Sequence, residues 1–126
     1  MTPEITELAE QARIASVRTM LTSQIERAGL QIAEFQTTLT SAPLKTLEWQ
    51  TAGLFRVVAV KEIYGTALLG LSRGMSLSRL RDWLLPQALH ICEHGNVVGK
   101  GWLEHAMREA ASKLYQELQF HMGGAQ

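Results

Sequence analysis

Two histidines four residues apart, in the run His90-Ile91-Cys92-Glu93-His94, have the spacing of a metal-ligand pair. One helical turn apart, they fall on the same side of a helix and could grip one ion. A zinc site needs at least a third protein ligand, and the sequence-near sources are Glu104 and His105. The HExxH pattern is absent, because the glutamate sits at the wrong offset. His94 also precedes Gly95 at an expected helix end, where a histidine favours the negative end of the dipole. No metal or other cofactor is therefore expected, with His90 and His94 as the pair to check. Cys92 has no neighbouring lysine or arginine to lower its pKa, so it reads as a small buried hydrophobe rather than a nucleophile. The glutamates lie mainly on polar helix faces without a paired-carboxylate arrangement, and no glycine-rich phosphate loop follows a strand. An enzyme is not expected.

The sharpest local signal is residues 69–84, LGLSRGMSLSRLRDWL. A glycine turn here joins an apolar helix end to a short helix carrying Arg79 and Arg81. The pattern is similar to a helix-turn-helix, with Gly70 where helices pack, Gly74 in the turn, and Met75, Leu80 and Trp83 as anchors. Arg73, Arg79 and Arg81 could meet phosphates or base edges. Against this, Pro86 interrupts the second helix, and Arg73 occupies a place that the motif usually fills with an apolar residue. Trp49 and Trp102, each near an expected helix start, are candidate interface groups, because tryptophan is over-represented in interfaces.

The elements that must position these groups are helices. Thr2-Pro3-Glu4 is a helix start, with a capping hydroxyl, proline at the first helical position and an acid at the positive end. From there apolar residues recur at three- and four-residue steps as far as Leu39, through Leu21, Ile25, Ala28, Ile32 and Phe35. That narrow stripe has near-heptad spacing, which suits pairing with a second copy of the same helix and equally the ordinary packing of an amphipathic helix in a bundle. Thr40 to Pro43 breaks the helix. A second helix from about Leu44 is apolar on nearly every face between Ala52 and Leu71, the pattern of a helix surrounded by protein. Val58 and Leu68 are expected to be central. Gly74 stops it, and Ser76 or Ser78 can cap a third helix from about Leu77. Pro86 either kinks that helix or opens a fourth. A last helix follows the glycine-rich loop 95–101, with Leu103, Met107, Ala110, Leu114 and Leu118 in helical register.

The expected fold is all-α, a single-domain bundle of four to five helices over residues 1–126 with a long N-terminal helix. Lysine plus arginine and aspartate plus glutamate number 12 each, so no global field steers the chain toward nucleic acid or acidic lipid. Arg56, Lys61 and Glu62 inside the most apolar stretch argue against a membrane span. One cysteine and a start lacking the features of a secretory signal point to the cytoplasm. The function expected is protein–protein contact, as a regulator, adaptor or small subunit of a larger assembly, with homo-oligomers formed through the stripe. The alternative is nucleic-acid binding through Arg73, Arg79 and Arg81.

Overall fold

The computed structural model describes residues 3–41, 43–94 and 102–122, with the backbone alone at 3–5, 48, 89–94 and 102–103. It is an all-α bundle of four helices, α1 (Pro3–Ser41), α2 (Leu44–Ser72), α3 (Leu77–His94) and α4 (Trp102–His121), with no strand among the described residues. None of these helices is long and apolar enough to cross a membrane. Gly29 does not divide α1, which continues through it because a lone glycine costs only about 1 kcal/mol in a helix. Pro86 likewise lies within one continuous α3. Proline withholds one backbone donor there, and the next residue adds one, as the Gln87 side chain donates Nε2–H to the Trp83 carbonyl at 3.0 Å.

α1 and α2 form an antiparallel hairpin across a short connection. Thr46 N–H donates to the Pro43 carbonyl at 3.0 Å, and Pro43 has extended backbone angles. Further along, the Phe35 ring lies where a Cβ on Gly53 would stand, so these helices approach closely because position 53 has no side chain. α2 also packs on α4, and α3 packs on α4, while α2 and α3 barely touch beyond their shared turn. Arg56 meets Glu109 and Tyr64 meets Glu117. The same step separates the two partners on each helix, so α2 and α4 run parallel. α3 carries the chain back between them.

The core is assembled from all four helices: Val17 and Leu21 from α1, Ile63, Tyr64 and Ala67 from α2, Leu77, Leu80 and Leu84 from α3, and Ala111, Leu114 and Leu118 from α4. Alanines on α4 let that helix sit close to its neighbours. This packing changes two expectations. Leu21 and Ala28 are buried within the single chain, Ile25 packs on the core, and Ile32 and Phe35 are half-buried. The α1 stripe is thus covered by the chain's own helices, chiefly α2, and is not a free seam for a second copy. Val58 and Leu68 are half-buried, because α2 is flanked by α1 and α4 rather than enclosed on all sides.

The α2–α3 connection ends one helix and starts the next within a few residues. Gly74 has φ +93°, Gly74 N–H donates to the Leu71 carbonyl at 3.1 Å, and Met75 N–H donates to the Gly70 carbonyl at 3.0 Å. These paired bonds close the end of α2, in the arrangement where glycine is favoured because it alone enters the left-handed region without a Cβ penalty. Ser76 then caps α3, accepting the Arg79 N–H on its Oγ at 3.2 Å. Gly74→Ala is expected to lower the unfolding free energy by about 1 kcal/mol, measured by chemical denaturation, with the helical signal of the folded state unchanged.

Candidate functional site

The tight turn leaves a groove of about 380 Å³ in the corner between α2 and α3. Thr66, Leu69, Gly70 and Arg73 supply one wall from consecutive turns of α2, Gly74 and Met75 supply the end, and Arg79, Leu80 and Trp83 supply the other wall from α3. Gly70 allows this shape. Met75 Sδ lies 3.2 Å from where a Cβ at position 70 would be, so a side chain there would make Met75 give way by a few tenths of an ångström. Leu80 is fully buried beneath the groove, and Trp83 and Met75 are half-buried and pack on the core. Leu69 is 49 % exposed. The groove therefore has a rigid floor tied to the core and an apolar lip open to water.

Its electrostatics are set by two arginines. Arg73 and Arg79 are both exposed, and neither forms an ion pair among the described residues. Among the described residues no aspartate or glutamate lines the groove. Arg81 belongs elsewhere. It is half-buried, lies outside the groove, and has its Nε 3.8 Å from Asp82 Oδ1. Positions 79 and 81 differ by about 200° around a helix, so they cannot share a face. The expected three-arginine surface is thus a pair, with Arg81 on another side. Leu69 and Thr66 are the wall residues the sequence reading missed; their signal was the three- and four-residue spacing of positions 66, 69, 70 and 73.

A second depression, of about 560 Å³, runs along α2 and α4 past Arg56, Val60, His105, Glu109 and Lys113. Part of its charge is internally matched: Glu109 takes Arg56 Nε at 4.0 Å and also lies 3.6 Å from His105 Nε2. It has less unmatched charge to offer a ligand than the α2–α3 corner.

Trp49 is 75 % exposed, near the exposed Leu44 at the hairpin end, and is available for contact. The side chain of Trp102 lies outside the described residues, as do those of His90, Cys92 and His94. Among the described residues no group of three or more histidines, cysteines or carboxylates could hold a metal ion. The class that fold and groove define is an all-α bundle carrying a cationic, apolar corner. No family model matches the chain, and neither a curated protein nor a solved structure is significantly similar to it.

Proposed function

We propose that this chain is a non-enzymatic cytoplasmic protein that works by protein–protein contact, as a regulator, adaptor or small subunit of an assembly, and that it associates with itself. The observation that supports this reading is the α2–α3 groove, where exposed Leu69 and half-buried Trp83 lie beside two arginines that have no ion pair among the described residues. Apolar anchors bordered by arginine are the combination that carries binding energy at protein interfaces. Leu44 and Trp49, exposed at the hairpin end, offer further apolar contact area.

Affinity isolation from native extract, with and without nuclease, tests the reading. The expected result is a protein partner whose recovery survives nuclease and is lost with Arg73→Ala/Arg79→Ala. Arg81→Ala should retain it. Recovery equal for all three chains would reject the groove as the contact.

One observation favours nucleic acid as a second reading: Arg73 and Arg79, without an ion pair among the described residues, border one groove in which no described residue is a carboxylate. In that case retention on an oligonucleotide at about 50 mM salt falls steeply as salt rises, because phosphate contacts release counterions. No retention at that salt removes this reading.

A further inference from the structure

We propose that the α2–α3 groove receives the N-terminal turns of α1 from a second copy of the chain, forming a twofold pair. This rests on the reading of the protein as one that works by contact and self-association, and it names the contact.

The register of the hairpin places both surfaces at one end of the molecule. Phe35 lies against Gly53 in an antiparallel pair, so the end of α2 near Leu71 is level with Val17 of α1. Ser16 Oγ lies 3.2 Å from His121 Nδ1, which puts the end of α4 at the same level. α1 continues past this level toward its first turn at Pro3, an arm of roughly 20 Å at 1.5 Å per residue. Residues 6–9 and 11–13 of the arm are exposed, with Leu8 at 65 %. A helix of this length has little stability of its own in water and gains it by covering an apolar side.

The chemistry of the arm complements the groove. Between Pro3 and Arg13 the sequence has three glutamates against one arginine. Glu7 is exposed next to Leu8 and makes no ion pair among the described residues, whereas Glu10, about 200° round the helix from Leu8, is half-buried on the side of Ile14 and Val17. The groove supplies the counterparts: an apolar lining of Leu69, Met75 and Trp83 for Leu8, and Arg73 and Arg79 for the Glu7 carboxylate. Because arm and groove lie at the same end, two copies related by a twofold axis make both contacts at once. The contact then closes on itself instead of propagating into a filament.

Light scattering and sedimentation equilibrium of the full chain test this with reciprocal charge reversals. The wild type is expected to be a dimer at about 100 μM, weakening as salt rises. Arg73→Glu/Arg79→Glu and Glu7→Arg should each raise the dimer dissociation constant at least about tenfold, with helical content unchanged because all three side chains are exposed. An equimolar mixture of the two variants should restore the dimer mass, since each arm then meets an oppositely charged groove. Leu8→Asp, at an exposed position, should weaken the dimer without touching the groove. A monomeric wild type at about 100 μM overturns the proposal. So does a dimer indifferent to both reversals, or a mixture that fails to recover. In each case the wider contact reading is still decided separately, by whether Arg73→Ala/Arg79→Ala loses a nuclease-resistant partner from extract.

Discussion

Ile63→Asp is expected to unfold the protein, while Val58→Asp leaves it folded. Ile63 is 2 % exposed and lies in the core with Tyr64 and Ala67 of α2 and residues of the other helices. A carboxylate there loses its water and meets no buried cation among the described residues, at a cost of several kcal/mol against a typical margin of about 5 to 15. Asp can take up a proton to escape the charge, but the neutral acid still lacks hydrogen-bond partners and leaves the isoleucine volume unfilled. Val58 is half-buried on the same helix, so an aspartate can turn its carboxylate to water and the cost is about 1 to 2 kcal/mol. Thermal melts followed by circular dichroism separate the two. Equal damage from both would mean that the Val58 face of α2 is covered by something beyond this chain.

Tyr64→Phe should cost about 1 to 2 kcal/mol, although it removes a single oxygen. Tyr64 is fully buried, and its hydroxyl donates to Glu117 Oε1 at 3.2 Å, a long bond that points to the lower part of the range for charged acceptors. Glu117 Oε2 is itself buried without a hydrogen-bond partner among the described residues. Removing the donor therefore leaves the carboxylate with no side-chain donor among the described residues. Tyr64→Phe/Glu117→Met, which removes both polar partners, should recover most of the loss, as measured by denaturant midpoint.

The same pair sets a dependence on pH. Burial first, then the Glu117 charge and the hydrogen bond to it, push the Tyr64 phenol above its ordinary value of 10.0. The folded state thus holds this proton more tightly than the unfolded chain does. The stabilisation is complete below pH 10 and is lost as pH rises above it toward the folded value. The denaturation midpoint of the wild type is expected to fall in that alkaline window, with a shallower fall in Tyr64→Phe. An identical slope in both would show that Tyr64 does not carry the dependence.

The helices and their ends were legible in the sequence because their causes are local. Pro3 starts α1, Pro43 separates the hairpin helices, Gly74 ends α2 and Ser76 starts α3 through backbone geometry and capping that involve only near neighbours. The small-residue role of Gly70 was visible for the same reason, since Met75 is five residues away. What covers each apolar face was not legible. The α1 stripe has a spacing equally suited to a second copy and to α2, and only the register that seats Phe35 on Gly53 decides for α2. α2 is apolar around its whole circumference, yet which residues are fully buried depends on the positions of α1 and α4 about it, a long-range matter that periodicity does not encode. The arginines divide along the same line. The sequence determined that three lie close together in the chain. Helical rotation and the angle of one glycine turn set Arg73 and Arg79 on a common groove and turned Arg81 toward Asp82.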